Sequence, residues 1–328
     1  MKAAVYYNNH HIPIEEYPIP QIGPEEILVK VMASGICGTD LMEWYRIKKA
    51  PCVLGHEICG EIVESKSKRF KISDRVFVSH HVPCNSCKYC IEGNHTACEK
   101  LHKGNFYPGG YSEFVRVPRE NVALGTYLLP KEISYEEGVM IEPLACVLRA
   151  QRIIDIKESH TVLIFGCGVS GLLNIILAKQ KGATVISTDL NNYRLKKARE
   201  FGADKIFNAR GDFSCKADRI IICTCAIEAV SQAFRNIDRK GIILFFAIPD
   251  RNFDVPIPDF WRDEITITFS YGAAPVDLEE ALALIKSKII DVKPLITHRL
   301  PLEKIQEGFN IALEAKESLK VILTPHSK

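Results

Sequence analysis

The sequence lacks two features that would direct a protein to a membrane or to nucleic acid. No apolar run approaches the ~18 residues of a membrane-spanning helix, and no long block of like charge occurs. The 42 basic and 40 acidic side chains leave a formal charge of only +2. We therefore exclude nucleic acid and membrane as partners. Residues 1–10 lack the apolar core of a signal peptide, so we expect a cytoplasmic protein.

Twelve cysteines would suggest disulfides in a secreted protein, but a reducing compartment is expected here. In such a compartment, clustered cysteines bind metal more often than they pair. One cluster has the spacing C-x2-C-x2-C-x7-C and consists of Cys84, Cys87, Cys90 and Cys98. Four thiolates on one loop are typical of a closed structural zinc site, with an iron–sulfur cluster as the alternative. We predict a structural zinc lobe at about residues 83–100.

Prolines and glycines punctuate the first third of the chain and indicate short β-strands. Prolines at positions 13, 18, 20, 24 and 51 argue against helices in this region. We predict strands at residues 2–7, 26–33, 61–64 and 75–78, with a turn at Gly60 before the third strand. These strands indicate a small, irregular β-rich barrel.

Two short pieces of this barrel carry side chains that can hold zinc. Residues 35–40 read GICGTD and residues 55–60 read GHEICG. The thiolate of Cys37, the imidazole of His56 and the carboxylate of Glu57 can hold zinc and leave one position open for substrate. In a regular strand, adjacent His56 and Glu57 point to opposite faces. Both reach one ion only if the backbone bends there.

A dinucleotide-binding motif opens the middle of the chain. The continuous apolar run at residues 161–165 predicts a buried parallel strand, and a glycine-rich turn and a helical run follow it. In this context G-x-G-x-x-G permits a tight turn and the close approach of a pyrophosphate to the helix N-terminus. The motif consists of Gly166, Cys167, Gly168, Val169, Ser170 and Gly171.

An acid at the end of the next predicted strand distinguishes the two nicotinamide cofactors. Asp189 can bond both ribose hydroxyls and repels a 2′-phosphate, which favours NAD over NADP. Arg194 could meet a phosphate, although we favour a solvated or adenine-stacking role. The alternation that follows predicts six strands in a doubly wound parallel sheet. The nicotinamide is then expected beyond the strand ends, near Cys223, Thr224 and Ala247.

The motifs occur in an order that resembles the zinc-dependent medium-chain dehydrogenase/reductase family: GICGTD, GHEICGEIVE, the cysteine lobe and GGYSEFV at residues 109–115. The branch of sorbitol, butanediol and threonine dehydrogenases is the most similar. The resemblance implies an α/β chain with a GroES-like β-barrel catalytic domain at residues 1–140. It also implies a Rossmann NAD-binding domain at 141–287, after which the chain returns to the catalytic domain at 288–328. The implied activity is NAD-dependent, reversible oxidation of a secondary alcohol or polyol to a ketone.

The resemblance also implies two zinc ions per chain, one catalytic and one structural, and roles for individual residues. Glu142 matches a residue that faces the catalytic zinc and either binds it or holds its water. Whether Glu57 or Glu142 is the direct ligand stays open. Thr39 matches a hydroxyl that relays the substrate proton. A homodimer or homotetramer is implied in the same way, with a small-molecule alcohol as substrate.

One residue departs from the family pattern. Met42 stands where the family usually has a proton-relay histidine, and methionine cannot carry a proton. The candidates for that task are Glu43, His80, His81 and a water on Glu142, of which we favour a histidine of the 80–81 pair. Two other functions stay open. One is a primary-alcohol dehydrogenase, which usually has cysteine in place of Glu142, and the other is a zinc-stabilised NAD-binding protein without catalysis.

Overall fold

The computed structural model describes residues 1–211 and 213–327. Asp212, in the predicted Rossmann range, and Lys328, at the end of the predicted C-terminal return, lie outside the described residues. The chain forms two compact units: residues 1–143 together with the chain from 273 onward, and residues 144–272. Residues 273–287, predicted in the Rossmann range, group instead with the first unit.

The first unit is built around a mixed sheet with Ile27–Gly35 at its centre. Other strands pair with this strand on both edges, and its apolar side chains are buried in the core, so it is buried along most of its length. The strands lie in the order Ile296–Pro301, Lys320–Thr324, Ile27–Gly35, Glu57–Ser65, Arg75–Ser79, Thr126–Leu128, and Phe114–Val117 also pairs with the central strand. A smaller sheet consists of Ile14–Glu16, Lys2–Tyr6 and Cys52–Val53. Aliphatic side chains such as Val29 and Ile58 form the core of this β-rich unit.

The final strand connects the end of the chain to the centre of that sheet. Lys320–Thr324 pairs antiparallel with the central strand, with Ile322 opposite Gly35. Lys320 Nζ donates to the carbonyl oxygen of Ile36 at 3.3 Å. The pairing therefore places Lys320 beside the segment that leads into Cys37.

Two local predictions for this unit are wrong. Gly60 does not form a turn but lies within the strand Glu57–Ser65, where a Cβ atom would collide with the carbonyl oxygen of Lys30. Glycine is needed there because the two strands approach closely at a shift in register. A helix also forms at Glu43–Arg46, since residues 25–50 contain no proline.

Helices and 3₁₀ turns supply the rest of the first unit. Ser134 Oγ accepts from Glu137 N and the Glu137 carboxylate accepts from Ser134 N, which is a capping box that starts one helix. The helices are Glu43–Arg46, Lys88–Ile91, Arg119–Leu124, Tyr135–Val139, Pro275–Lys286 and Ile305–Glu314, and Ile141–Ile153 runs on into the second unit. The 3₁₀ turns are Gly38–Leu41, Ile47–Lys49, His95–Ala97, Lys293–Leu295 and Leu302–Lys304.

The second unit is a parallel sheet with helices between its strands, which confirms the predicted doubly wound α/β class. Its strands lie in the order Lys205–Asn208, Thr184–Asp189, Thr161–Phe165, Ala217–Ile222, Ile237–Phe245, Thr266–Phe269. The helices are Val169–Gln180, Asn192–Glu200, Ile227–Asn236 and Ile257–Arg262. Among the residues that the structure describes, no helix is both long and apolar enough to cross a membrane.

Candidate active site and metal centres

The four cysteines of the lobe lie together in the structure. Their sulfur atoms are all within 4.8 Å of one another, and Cys87 Sγ lies 3.6 Å from Cys90 Sγ. The short helix Lys88–Ile91 and the 3₁₀ turn His95–Ala97 fold the loop so that residues distant by up to fourteen positions converge. This all-thiol donor set fits a closed zinc site.

Hydrogen bonds favour the thiolate form at one of these sulfurs. Cys84 N donates to Cys98 Sγ at 3.3 Å, and Cys87 N donates to Cys84 Sγ at 3.4 Å. A hydrogen bond from the Ser86 hydroxyl is the largest cause of a low pKa at Cys84, which falls to about 5. Thiolate, not thiol, is the form that binds metal, so Cys84 is prepared as a ligand. Burial has the opposite effect on Cys90 and raises its pKa to about 12.

A second group of possible ligands forms where the two quoted motifs meet. Ligand atoms of Cys37, His56 and Glu57 lie within 4.8 Å of one another. Cys37 follows the central strand, and Glu57 opens the neighbouring strand opposite Gly35. Gly55 has φ of +91°, a conformation that favours glycine, so the backbone turns just before this pair. The bend that both side chains need to reach one ion is therefore present.

A buried carboxylate that the sequence reasoning missed orients His56. Asp40 is 0% exposed, and its Oδ1 lies 3.5 Å from His56 Nδ1, which leaves Nε2 available to a metal. Tyr111 donates its hydroxyl to Asp40 Oδ2 at 2.7 Å. Burial alone would raise the pKa of Asp40, but the attraction of His56 and Arg46 holds that pKa at about 2. Asp40 is thus an ionised partner for His56, and its signal was its place in GICGTD.

A buried lysine that the sequence reasoning also missed neutralises Glu57. Lys320 Nζ pairs with Glu57 Oε2, and the two side chains are 3% and 1% exposed. Burial lowers the pKa of Lys320, but the charges of Glu57 and Cys37 outweigh it and raise that pKa above its ordinary value. Lys320 is 263 residues away in sequence, and no local pattern marks it.

The predicted carboxylate Glu142 stands apart from this ligand group. It is the second residue of the helix Ile141–Ile153 and is 9% exposed. Among the described residues, the set within 4.8 Å contains Glu57 and not Glu142. The charge of Glu142 contributes to the raised pKa of Lys320. Glu142 is therefore an electrostatic neighbour of the group.

The imidazoles of the predicted relay residues lie next to one another and next to the ring of His56. The His56 and His80 ring centroids are 4.8 Å apart, and those of His80 and His81 are 3.7 Å apart. His81 Nε2 lies 3.0 Å from Nδ1 of His102, an exposed residue that the sequence reasoning missed. Burial lowers the pKa of His80, and it lowers that of His81 to about 3, so both rings are neutral. Glu43 instead accepts from the backbone N–H of Asn9 at 3.1 Å.

Thr39 lies beside the thiol of the ligand group. Its hydroxyl donates to Cys37 Sγ at 3.3 Å. Arg46 donates to Thr39 through both Nε and Nη2, at 3.0 Å to the carbonyl oxygen and 3.1 Å to Oγ1. The structure therefore places a hydroxyl and a guanidinium at the candidate metal centre.

In the second unit, the predicted dinucleotide loop has the required shape. Gly166 has φ of +89°, and a Cβ atom on Gly171 would collide with the Gly166 carbonyl oxygen. Gly168 caps the helix that begins with Val169 and Ser170. A Cβ atom on Gly168 would lie 3.9 Å from Arg194 Nη1, so this guanidinium sits beside the loop. The loop leaves room for a close approach to the helix N-terminus.

The other predicted cofactor residues lie at the carboxyl ends of the parallel strands. Asp189 ends its strand and accepts from Cys167 N at 2.7 Å and from Asn191 N at 2.8 Å. Cys223 and Thr224 follow Ala217–Ile222, and Ala247 follows the neighbouring strand Ile237–Phe245. In open α/β sheets, ligands bind at this edge of the sheet.

Comparison with known proteins assigns the family. Residues 23–127 match the alcohol dehydrogenase GroES-like domain, and residues 170–287 match the zinc-binding dehydrogenase model. Sorbitol dehydrogenase of Bacillus subtilis (strain 168) is 33% identical, over 99% of this chain and 98% of its own. The chain belongs to the zinc-binding alcohol dehydrogenases. This dehydrogenase is therefore an oxidoreductase, and the family resemblance read from its motifs is confirmed.

Solved structures show the same architecture as this dehydrogenase. The 2R,3R-butanediol dehydrogenase from Bacillus subtilis matches with a TM-score of 0.85 at 28% identity, over 99% of both chains. A zinc-binding dehydrogenase from Sinorhizobium meliloti 1021, bound to NADP, matches with a TM-score of 0.85 at 26% identity, again over 99% of both. The predicted combination of a GroES-like and a Rossmann fold is thereby confirmed.

Proposed function

We propose that this dehydrogenase reversibly oxidises a secondary alcohol or polyol to a ketone with NAD. The observation that carries the proposal is the group of Cys37, His56 and Glu57 within 4.8 Å, with the Thr39 hydroxyl 3.3 Å from Cys37 Sγ. Three protein ligands of this mixed type leave a position open for substrate. Two relatives are named for the alcohols sorbitol and butanediol. Both alcohols carry secondary hydroxyls, which supports this substrate class.

The chain's own residues hold and orient the catalytic centre. Cys37, His56 and Glu57 would hold zinc, which when bound supplies a Lewis acid that lowers the pKa of an alcohol. Asp40 fixes the imidazole of His56. Lys320 pairs with one oxygen of Glu57, so the other oxygen is the one available as a ligand. Glu142 then has the role of holding water near the centre.

Thr39 orients the substrate in this proposal. Its Oγ1 can accept a hydrogen bond from the substrate hydroxyl, since a hydroxyl oxygen has two acceptor lone pairs. The structural zinc would be held by Cys84, Cys87, Cys90 and Cys98. Their role is to order a loop whose small core, around Leu101, is too limited to do so alone.

NAD is the proposed hydride acceptor. Gly166, Gly168 and Gly171 would admit its pyrophosphate, and Asp189 would bond the ribose hydroxyls. The Asp189 carboxylate repels a 2′-phosphate, whereas Arg194 beside the loop would attract one. Because the Sinorhizobium meliloti relative is bound to NADP, activity should be measured with both cofactors.

The decisive experiment is a screen of cofactor reduction. The purified protein is supplied with NAD or NADP and with diols, polyols, threonine or simple secondary and primary alcohols. We expect turnover of a secondary alcohol or polyol with NAD, its loss in Cys37→Ser, and two zinc ions per chain. Preference for primary alcohols would overturn the substrate class. One zinc per chain with no turnover would favour a non-catalytic NAD-binding protein.

We further propose a homodimer or homotetramer in the cytoplasm. Thr266–Phe269 is an edge strand of the parallel sheet, and an exposed apolar surface adjoins it, with Trp261 80% and Phe269 64% exposed. The twelve cysteines that the structure describes are free thiols, which fits a reducing compartment. Sedimentation analysis of the protein and of Trp261→Glu tests the assembly, since a monomer in both would contradict it.

A further inference from the structure

Arg46 lies one helical turn after Met42, the residue that cannot carry a proton. The Arg46 N–H donates to the Met42 carbonyl oxygen at 3.0 Å, which closes the short helix Glu43–Arg46. The turn brings the Arg46 guanidinium back to Thr39.

Three oxygen atoms hold the guanidinium of Arg46 in place. Nε donates to the Thr39 carbonyl oxygen at 3.0 Å, and Nη2 donates to Thr39 Oγ1 at 3.1 Å. Nη2 also forms an ion pair with Asp40 Oδ1 at 2.9 Å. The Arg46 side chain is only 14% exposed, and Asp40 is fully buried. Such a planar fork, anchored on a buried carboxylate, has little freedom to move.

This contact restricts what the Thr39 hydroxyl can do. A hydroxyl has one proton and two lone pairs, and arginine can only donate. Arg46 therefore occupies one lone pair of Oγ1, and the proton must point elsewhere. In the structure it is directed to Cys37 Sγ, 3.3 Å away. The second lone pair is the only acceptor site on Oγ1 that these two contacts leave.

We propose that Arg46 is a positioning residue for alcohol oxidation, which holds the Thr39 hydroxyl with one lone pair open to the substrate hydroxyl. The proposal rests on the proposed function, because it assigns Arg46 a role in that reaction. It does not require Arg46 to exchange a proton. The ion pair with Asp40 anchors the guanidinium, and the role proposed for Arg46 in the reaction is its hold on the Thr39 hydroxyl.

Substitution of Arg46 tests this role in the zinc-loaded enzyme. Arg46→Met should lower kcat/KM for the alcohol by about 100-fold, the cost of a misplaced reacting geometry, and leave the KM for NAD and the zinc content unchanged. Millimolar guanidinium should restore part of the activity of Arg46→Met. The kcat/KM of Arg46→Lys should lie between those of the parent and Arg46→Met, since one ammonium cannot make both contacts to Thr39. Arg119→Met, at an exposed site in another helix, is the matched control.

A double-mutant cycle with Thr39→Val separates positioning from a general structural role. If Arg46 acts through the hydroxyl, Arg46→Met should cause little further loss in the Thr39→Val background. Independent, multiplying losses would overturn the proposal, and so would Arg46→Met activity within about threefold of the parent. If Arg46→Met does not fold, the same double-mutant cycle with Thr39→Val is measured with Arg46→Gln and Arg46→Lys.

A measurement that needs no turnover completes the test. The Thr39 rotamer can be followed by methyl NMR or by crystallography, and it should be single in the parent and mixed in Arg46→Met. A single, unchanged rotamer in the variant would overturn the role of Arg46. If the parent oxidises no alcohol, the proposed function fails, but the rotamer still decides whether Arg46 fixes Thr39.

Discussion

Lys320 and Glu57 form a buried ion pair that joins the last strand of the chain to the candidate metal centre. Lys320–Thr324 is the strand beside Ile27–Gly35, and Glu57 begins the strand on the other edge. The pair thus connects both sides of the central strand, next to Cys37. In the protein without zinc, Lys320 is still the counter-charge of Glu57. The loss of Lys320 would therefore leave a buried, unpaired carboxylate.

We expect Lys320→Met to destabilise the zinc-free protein strongly. Removing one partner leaves a buried, unpaired carboxylate, which costs about 3–5 kcal/mol. Lys2→Met is the matched control, because the pair of Lys2 with Glu303 is exposed and screened by solvent, so its loss should change stability little. Urea denaturation measures both. Equal midpoints for the two variants would contradict a stabilising role for the buried pair.

The cysteine lobe gives a second prediction. Cys84→Ser should reduce the zinc content from two ions per chain to one and make residues 83–100 more sensitive to protease, because the loop has little core of its own. NAD binding to the second unit should be unaffected. Cys225→Ser, at an exposed thiol, is the control. Metal analysis by mass spectrometry decides the matter, and two zinc ions in Cys84→Ser would contradict the assignment.

The sequence predicted the parts of the sites that are close together in the chain. The cysteines of the lobe fall within fifteen residues, and the dinucleotide loop is six residues long, so their chemistry appears as a spacing. The buried run before Gly166 and the acid at Asp189 followed from the parallel-sheet pattern. The cysteine spacing, the glycine loop and the strand before it all depend on residues that are close in the sequence, so a sequence motif can predict them.

The residues that sequence reasoning missed act across the fold or lack a motif. Lys320 meets Glu57 only because the final strand pairs with the central one. His102 reaches His81 through the folding of the lobe. Arg46 is close to Thr39 in sequence, but a short helix was needed to bring it back, and the proline pattern had argued against helices there. Gly60 shows the converse, because a glycine that permits close strand packing resembles a turn signal.

The capping box at Ser134 and Glu137 gives a pH-dependent prediction. Burial raises the pKa of Glu137, but hydrogen bonds from Ser134 and the charge of Lys293 outweigh it and lower that pKa below the ordinary 4.5. An acid with a depressed folded-state pKa stabilises the fold above its unfolded pKa. That stabilisation is lost as pH falls through the folded pKa.

Thermal unfolding of Glu137→Gln against pH tests this sign. The variant should have a lower Tm than the parent at neutral pH, and the difference should shrink as pH falls below 4.5. Glu132→Gln, at an exposed site before the helix, should follow the parent throughout. A difference that grows on acidification would show that the carboxylate is not the stabilising form.

A histidine of the 80–81 pair is still the predicted carrier of the substrate proton, and the structure adds His102 beside it. These imidazoles extend from His56 to an exposed ring, with a 3.0 Å contact between His81 and His102. A neutral ring can accept a proton on one nitrogen and release one from the other. We expect His81→Asn to lower kcat in weak buffer by about 100-fold, the lower end of what a positioned proton-transfer group contributes.

Small buffers distinguish this route from a structural effect. Added imidazole should restore turnover to His81→Asn and leave the parent unchanged, because a diffusing base can replace a missing relay. His10→Asn, at an exposed site outside this chain of rings, should behave as the parent does. If His81→Asn turns over at the parent rate in weak buffer, protons leave by another path.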